Sequence, residues 1–359
     1  MTDTTLQQAR DTIDHIDQQV LGLLNQRANI AQQVGQIKHQ ADPNAVLYRP
    51  EREAQVLRRL QANNTGPLEG TAITTIFREV MSACLALEQL QTVAFLGPVG
   101  TYTEQAVRKQ FGQAVQAQPY TEIADIFHAV ETGVAAYGVV PIENSAEGMV
   151  GHTLDCLMQA TLSICGELTL RIQHQLLGQV SSLDQVETVY AHPQALAQCR
   201  CWLSQHLPKV ACVPVSSNGE AARIVAETPT AAAIASQQAA EHYQLATLVA
   251  HIEDEADNST RFIAVGNQKP GPSGRDKTSL LLTVRNQPGG LHQMLAPLAE
   301  HQIDMSRIES RPSRREKWDY VFFIDLLGHQ MDTNVQKALA ALDQQGCICR
   351  VLGSYPQAV

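Results

Sequence analysis

Apolar residues recur at helical spacing through the first ninety residues of the chain. In the first run they lie mostly three, four or seven positions apart, from Leu6 through Val20 to Ile37. This spacing predicts one helix of about 35 residues, roughly 50 Å long. Two shorter helices are predicted at about 50–62 and 71–89. Because these would leave much of the long apolar stripe bare, we expect an all-α domain that forms an intertwined dimer.

The residues from about 91 to 268 alternate between short apolar runs and helical patterns. The runs at 93–97, 137–142, 163–177 and 189–191 predict strands, with helical patterns between them. This alternation predicts a two-lobed α/β domain with a cleft. The absence of Gly-x-Gly-x-x-Gly and Gly-Lys-Ser/Thr argues against a nucleotide site, and a generic small-molecule binding protein remains an alternative.

Polar residues stand at the ends of two of the predicted strands in this domain. Asn144 and Ser145 follow the strand at 137–142, and Thr260 and Arg261 open a later apolar strand. Small polar side chains just past a strand's carboxyl end are typical ligand contacts in open α/β sheets. We therefore expect these residues at the cleft.

The last part of the chain follows a linker rich in Gly and Pro at 267–276. Its patterns predict, in order, a strand, a helix, two strands, a helix and a strand, at 278–285, 291–301, 303–311, 318–327, 332–345 and 347–353. The order βαββαβ predicts a ferredoxin-like α+β fold. The expected domains are therefore 1–90, 91–268 and 277–359.

Charge and composition narrow the classes of function. The 359 residues carry a net charge of −10 with only 26 Lys and Arg, which argues against nucleic-acid binding. Neither a leader pattern nor a run of about eighteen apolar residues is seen, so we expect a cytoplasmic protein with no membrane partner. The pairs Cys199-x-Cys201 and Cys347-x-Cys349 lack His partners at ligand spacing, so we expect buried thiols and no metal.

Three cations interrupt or flank the apolar stripe of the first helix, at Arg10, Arg27 and Lys38. A step of eleven residues at about 100° each returns Lys38 to within about 20° of Arg27, so both face one pocket. Arg10 lies about 25 Å along the axis from Arg27, so it can serve the same ligand only from a partner subunit. Inward-pointing cations of this kind outline a site for a dicarboxylate.

The second and third helices add Arg52, Glu53, Cys84 and Glu88. With the three cations and the Val34-Gly35-x-x-Lys38 run, this frame resembles the all-helical chorismate mutase domain. The resemblance implies that the two carboxylates of chorismate are held by Arg27, Lys38 and the partner subunit's Arg10. It also implies that Glu53 meets the ring hydroxyl.

The resemblance further implies that Lys38 and Glu88 flank the breaking ether oxygen, supported by Arg52, with Cys84 at the edge of the site. A pericyclic rearrangement needs orientation and hydrogen-bond donors, not a nucleophile or a cofactor. Some members of the family carry Gln where Glu88 stands. Because a carboxylate cannot donate a hydrogen bond, we hypothesise that Glu88 acts when protonated and that mutase activity fades as pH rises.

Four separated motifs in the middle domain resemble prephenate dehydratase, in order and at similar spacing: 97–103, 138–145, 192–196 and 258–262. That family expels the ring hydroxyl and CO2 from prephenate to give phenylpyruvate. The resemblance implies Thr260 at the leaving hydroxyl and Arg261 holding the domain or a carboxylate. It also implies that Asn144, Ser145 and Gln198 bind and orient prephenate. Ala191 stands where some members have Ser.

Two motifs of the C-terminal part resemble the effector-binding motifs of the ACT domain attached to dehydratases. They are Pro288-Gly289-Gly290-Leu291 and Glu309-Ser310-Arg311-Pro312. The resemblance implies that the domain pairs with its twin and binds L-phenylalanine between the two copies. Gly290 departs from the Ala that is usual there.

Together, the three resemblances imply a homodimer or homotetramer that converts chorismate to prephenate and then to phenylpyruvate, under feedback control by L-phenylalanine. Neither step is expected to need a cofactor. Two alternatives remain, a dehydratase that uses arogenate and a non-catalytic sensor of aromatic amino acids. The mutase cations argue against the sensor, since a sensor has no use for them.

Overall fold

A computed structural model describes residues 2–42, 46–283, 287–312 and 320–358, with side chains from Thr5 onward. Its N-terminal part consists of helices α1 (Thr2–Ala41), α2 (Pro50–Asn63) and α3 (Gly70–Glu88). With 40 residues, α1 is somewhat longer than predicted. Large apolar side chains along it, such as Leu23 and Ile37, are more than half exposed in the single chain.

Among the described residues, α3 has the length and apolar composition of a possible membrane span. These two properties are weak evidence, because core helices of globular proteins share them. In this chain α3 packs against α1 and α2.

The middle part contains seven α-helices and eleven strands within the described residues. The helices are α4 (Tyr102–Phe111), α5 (Ile123–Glu131), α6 (Gly151–Gln159), α7 (Pro193–Gln198), α8 (Arg200–His206), α9 (Asn218–Ala226) and α10 (Gln237–Tyr243). The strands are β1 (Thr92–Leu96), β2 (Gln116–Tyr120), β3 (Tyr137–Asn144), β4 (Gly148–Met149), β5 (Ser163–Arg171), β6 (Gln175–Gly178), β7 (Thr188–Ala191), β8 (Ala211–Pro214), β9 (Ala231–Ala235), β10 (Ala246–Val249) and β11 (Ser259–Gly266).

These strands form two mixed sheets, one in each lobe. The first lobe has the order β2-β1-β3-β11-β5, with β4 paired to β3, and the second has β10-β6-β9-β7-β8. Strand β11 returns from the second lobe and inserts antiparallel between β3 and β5. The polar start of β11 therefore lies beside the end of β3, where the lobes meet.

Two predicted elements of this part are each divided in the structure. The strand predicted at 163–177 is β5 in the first lobe and β6 in the second, and 172–174 crosses between the lobes. The helix after Pro193 breaks at Cys199 into α7 and α8. The sequence pattern showed neither break, because periodicity cannot show where a chain changes sheet or where a helix is interrupted.

The C-terminal part consists of β12 (Asp276–Thr283), α11 (Gly290–Glu300), β13 (Met305–Pro312), β14 (Tyr320–Leu327), α12 (Thr333–Gln344) and β15 (Ile348–Pro356). Its antiparallel sheet has the order β13-β14-β12-β15, as a ferredoxin-like fold requires. The predicted strand ends at 284–285 and 318–319 lie outside the described residues.

The C-terminal sheet shares a hydrophobic core with the first lobe. Val321, Phe323 and Tyr355 are buried in one cluster with residues of that lobe such as Leu154 and Ile164. Strand β15 also runs so close to β5 that a Cβ added at Gly353 would lie 2.2 Å from the backbone oxygen of Ile164. The C-terminal domain is thus built onto the first lobe, whereas the sequence predicted a separate module.

Candidate functional sites

A cleft of about 370 Å³ lies between the two lobes. Its walls come from strands of the first sheet, from helix α7 and loops of the second lobe, and from the crossing segment. They include Asn144, Thr260, His174, Gln198 and Ser217. Of the predicted dehydratase residues, the structure thus brings Asn144, Gln198 and Thr260 to one cavity, although all three are far apart in sequence.

Thr260 and Asn144 are paired across β11 and β3. The Asn144 amide oxygen accepts hydrogen bonds from the backbone N–H groups of Ala146 (3.0 Å) and Glu147 (3.1 Å). These bonds fix the amide orientation, so that Nδ2 donates to Thr260 Oγ1 at 2.9 Å. Since a hydroxyl both accepts and donates, the proton of Thr260 stays available to a group in the cleft.

His174 is a cleft residue that the sequence analysis missed. Its Nε2 lies 2.8 Å from Gln198 Oε1, and burial lowers its pKa, although Gln198 and Glu253 raise it in part. A neutral ring that donates from Nε2 fixes the Gln198 amide, whose own Nε2 is buried with no hydrogen-bond partner in the part of the chain that the structure describes. The sequence analysis did not assign His174 to the cleft because it predicted residues 172–174 to lie inside one continuous strand.

Two of the predicted dehydratase residues, Ser145 and Arg261, do not line the cleft. Ser145 is exposed, and its Oγ accepts a 2.9 Å hydrogen bond from the Ser259 N–H, which holds the end of β3 against β11. The side chain of Arg261 leaves β11 on the face opposite Thr260, as strand alternation requires. Of the two roles expected for Arg261, this arrangement favours holding the domain over binding a substrate carboxylate.

Arg261 instead joins the first lobe to the C-terminal sheet. Its guanidinium lies 2.7 Å from Glu167 and 2.7 Å from Asp325, and it donates to the Tyr355 hydroxyl at 3.1 Å. Burial raises the pKa of Asp325, but Arg261, Ser279 and Arg307 more than offset this, and the pKa lies below its ordinary value. The carboxylate is therefore ionised at neutral pH.

A second cavity, of about 440 Å³, lies between α1, α2 and α3. It gathers six of the seven residues predicted for the mutase site: Arg27, Lys38, Arg52, Glu53, Cys84 and Glu88. Arg10 is exposed on α1 and does not line this cavity. The helix geometry worked out from the sequence thus agrees with the structure. Arg27 and Lys38 face the same cavity, and Arg10 lies too far along α1 to reach it.

Glu88 enters the cavity against α1 at a position where α1 has no side chain. A Cβ added at Gly35 would lie 2.6 Å from Glu88 Oε2, so glycine is needed for this approach. Glu88 Oε2 is buried and has no donor within the described residues. Burial raises the pKa of Glu88, and nearby Lys38 and His39 lower it only in part, which favours the protonated form.

Glu53 is held by Arg78, a residue that the sequence analysis missed. Arg78 Nε donates to Glu53 Oε1 at 3.1 Å across the α2–α3 interface. Burial raises the pKa of Glu53 and Arg78 lowers it in part. Only the packing of two helices reveals this pair, since the residues are 25 positions apart.

The two predicted effector motifs lie at the start of α11 and the end of β13. Gly289 caps α11 with φ of 78°, Gly290 is buried and Leu291 is 45% exposed. Arg311 Nη2 donates to Asp155 Oδ1 of α6 at 2.7 Å, whereas Glu309, Ser310 and Pro312 make no side-chain bond to the first lobe among the described residues. The Arg311 bond is one of several polar links between the C-terminal domain and the first lobe, beside those of Arg261, Lys277 and Arg350.

Within the described residues, no three His, Cys, Asp or Glu side chains come together as a possible metal site. Comparison with protein families divides the chain into three parts. A chorismate mutase type II model matches residues 9–89, a prephenate dehydratase model 93–270 and an ACT domain model 278–344.

The bifunctional chorismate mutase/prephenate dehydratase of Pseudomonas aeruginosa is 47% identical over 358 residues, which cover 99% of this chain and 98% of the relative. The chain belongs to the bifunctional chorismate mutase/prephenate dehydratase family. The member from Neisseria gonorrhoeae is also 47% identical, over 98% of this chain and 96% of that protein. Both relatives span all three parts of this chain.

Among solved structures, the prephenate dehydratase of Arthrobacter aurescens in complex with L-Phe is 36% identical, with a TM-score of 0.68. The match covers 74% of this chain and 89% of the Arthrobacter aurescens chain. The predicted family, fold class and enzyme class are confirmed. This member of the chorismate mutase/prephenate dehydratase family is therefore an enzyme with a mutase and a dehydratase domain.

Proposed function

We propose that the helical cavity is the mutase site and the interlobe cleft the dehydratase site, with domain limits near 1–90, 91–268 and 277–359. Chorismate is rearranged to prephenate in the first, and prephenate loses CO2 and its ring hydroxyl in the second to give phenylpyruvate. The observation that carries this proposal is the convergence of Arg27, Lys38 and Glu88 in one cavity and of Asn144 and Thr260 in another.

In the mutase site, Arg27 and Lys38 bind the carboxylates of chorismate and fold its side chain over the ring. Lys38 and protonated Glu88 then donate to the ether oxygen as negative charge grows there. Arg52 supports this pair, Cys84 packs at the edge, and Glu53, oriented by Arg78, receives the ring hydroxyl.

In the dehydratase site, Thr260 donates a hydrogen bond to the departing hydroxyl, which leaves as hydroxide as CO2 is released and takes a proton from solvent. Asn144 keeps the Thr260 oxygen as an acceptor, so that the proton points to the cleft. The unpaired Nε2 of Gln198, oriented by His174, binds a carboxylate of prephenate. Aromatisation supplies the driving force, so orientation and hydrogen bonding to the leaving hydroxyl are sufficient roles for the enzyme.

Features of the N-terminal helices and of the C-terminal domain support a homodimer or homotetramer. The exposed apolar side chains of α1 suit a second copy, whose Arg10 would complete the mutase site of the first. L-phenylalanine, which the Arthrobacter aurescens relative binds, would occupy the site formed by Gly289–Leu291 and Glu309–Pro312 and inhibit the dehydratase. A cytoplasmic location suits these small soluble substrates.

The test is to give the purified protein chorismate, with and without L-phenylalanine, and to follow chorismate, prephenate and phenylpyruvate by mass spectrometry. We expect phenylpyruvate, and less of it with L-phenylalanine. Lys38→Met should leave chorismate untouched, and Thr260→Val should accumulate prephenate. A parallel assay with arogenate tests the alternative substrate. Full turnover by either variant would contradict its site assignment.

A further inference from the structure

Two segments of the dehydratase domain cross between its lobes. Residues 172–174 join β5 to β6, and residues 250–258 join β10 to β11. The segments meet where the backbone N–H of Ile252 donates to the His174 backbone oxygen at 2.9 Å. A loop rich in carboxyl groups, residues 253–257, follows directly in the second segment.

Glu253, the first residue of this loop, holds the backbone of His174. Its Oε2 accepts from the His174 backbone N–H at 2.8 Å, and its side chain is only 4% exposed. His174 is itself buried, so its N–H depends on this acceptor. Glu253 therefore fixes the residue whose ring is hydrogen-bonded to the Gln198 amide.

Asp254, the next residue, holds Gln198 from the backbone side. Its N–H donates to the Gln198 backbone oxygen at 2.7 Å. Its carboxyl oxygens accept from the backbone N–H groups of Cys201 at 2.9 Å and Trp202 at 3.2 Å. Since the first N–H groups of a helix have no partner within it, Asp254 caps α8 just after the break at Cys199. Gln198, the last residue of α7, is thus fixed at its backbone and at its side chain.

We propose that Glu253 and Asp254 are positioning residues of the dehydratase site. Neither of them lines the cleft, so both act through Gln198. Together they set the direction in which the unpaired Nε2 of Gln198 donates. The inference rests on the role proposed above for Gln198, which is to bind a carboxylate of prephenate.

The test measures dehydratase kinetics of full-length Glu253→Ala with added prephenate. This variant loses the acceptor for the His174 N–H, which frees the ring and with it the Gln198 amide. We expect the KM for prephenate to rise about 10-fold, as for the loss of one buried hydrogen bond. A contact made equally in the ground state and the transition state affects KM and not kcat, so kcat should change less than about 2-fold.

Two control variants define what the Glu253 side chain supplies. Glu253→Gln keeps a side-chain oxygen as acceptor for the His174 N–H and should have a KM near that of the wild type. Glu255→Ala removes an exposed carboxyl group from the same loop and should change neither KM nor kcat. The mutase rate should be equal in all variants, because the loop lies outside the mutase cavity.

A double variant separates positioning from a merely structural role. Gln198→Ala should raise the KM for prephenate by itself. A residue that acts through Gln198 has no further effect once that side chain is gone, so adding Glu253→Ala should raise the KM by less than about 2-fold more. General damage to the cleft would instead raise the KM by the same factor in both backgrounds.

A wild-type KM for Glu253→Ala, or an equal rise in both backgrounds, overturns the inference. If Glu253→Ala does not fold, the exposed Asp254 provides a second variant. Asp254→Ala frees the first turn of α8 and should raise the KM in the same non-additive way, and a wild-type KM there also overturns the inference. A wild-type KM for Gln198→Ala would show separately that the proposed role of Gln198 is wrong, and the inference would fall with it.

Discussion

Replacing Arg261 by Met should weaken the attachment of the C-terminal domain to the first lobe. The Arg261 side chain is 13% exposed, and its partners Glu167 and Asp325 are 7% and 9% exposed. The substitution keeps an unbranched side chain in the interface while removing the charge and every hydrogen bond that it donates. Two buried carboxylates are left with fewer donors.

The size of the effect follows from that burial. Removing one partner of a buried ion pair costs about 3–5 kcal/mol, because the other charge is left uncompensated. Here Lys277 still lies 2.8 Å from Glu167, and Arg307 lies 3.8 Å from Asp325. We therefore expect the lower end of that range, about 3 kcal/mol.

Urea unfolding followed by circular dichroism measures this loss. A change of about 3 kcal/mol should lower the first midpoint by about 1 M, at a slope of roughly 3 kcal/mol/M. Arg223→Met is the matched control, because the Arg223–Glu220 pair on α9 is solvent-exposed and such pairs contribute little. Equal midpoints for the two variants would refute the role of Arg261.

The pH dependence of the difference provides a second check. Because the folded-state pKa of Asp325 is depressed, its stabilisation is fully present above the unfolded pKa of about 3.9. It is lost as pH falls through the folded pKa. The gap between wild type and Arg261→Met should therefore be full at neutral pH and narrow below about pH 4. A gap that widened on acidification would contradict this account.

Three further predictions concern other sites. The wild-type mutase kcat/KM should fall as pH rises through the raised pKa of Glu88, whereas Glu88→Gln should flatten this pH profile. The same pH profile for the variant and the wild type would contradict a role for protonated Glu88. His174→Ala should lower dehydratase kcat/KM about 10-fold by freeing the Gln198 amide, with the mutase rate as control. Gly353→Ala should destabilise the protein by about 1–3 kcal/mol through its clash with Ile164, seen as a lower midpoint in calorimetry.

Local patterns in the sequence determined the fold class, whereas most residues of the predicted mutase site came from the resemblance to a known family. Helical and strand periods depend only on backbone geometry, so the three parts of the chain could be predicted in order. The same geometry placed Arg27 and Lys38 on one face of α1 and set Arg10 apart. Asn144 and Thr260 were predicted at strand ends, which is where the cleft lies.

Tertiary structure alone decided which distant residues meet. The insertion of β11 between β3 and β5 brings Thr260 to Asn144 and directs Arg261 towards Asp325, and no local pattern encodes that order of strands. His174 became a cleft residue because the chain changes sheet there. The hydrogen bond between Glu253 and His174 likewise joins residues that are 79 positions apart, and long-range contacts of this kind leave no periodic trace in the sequence.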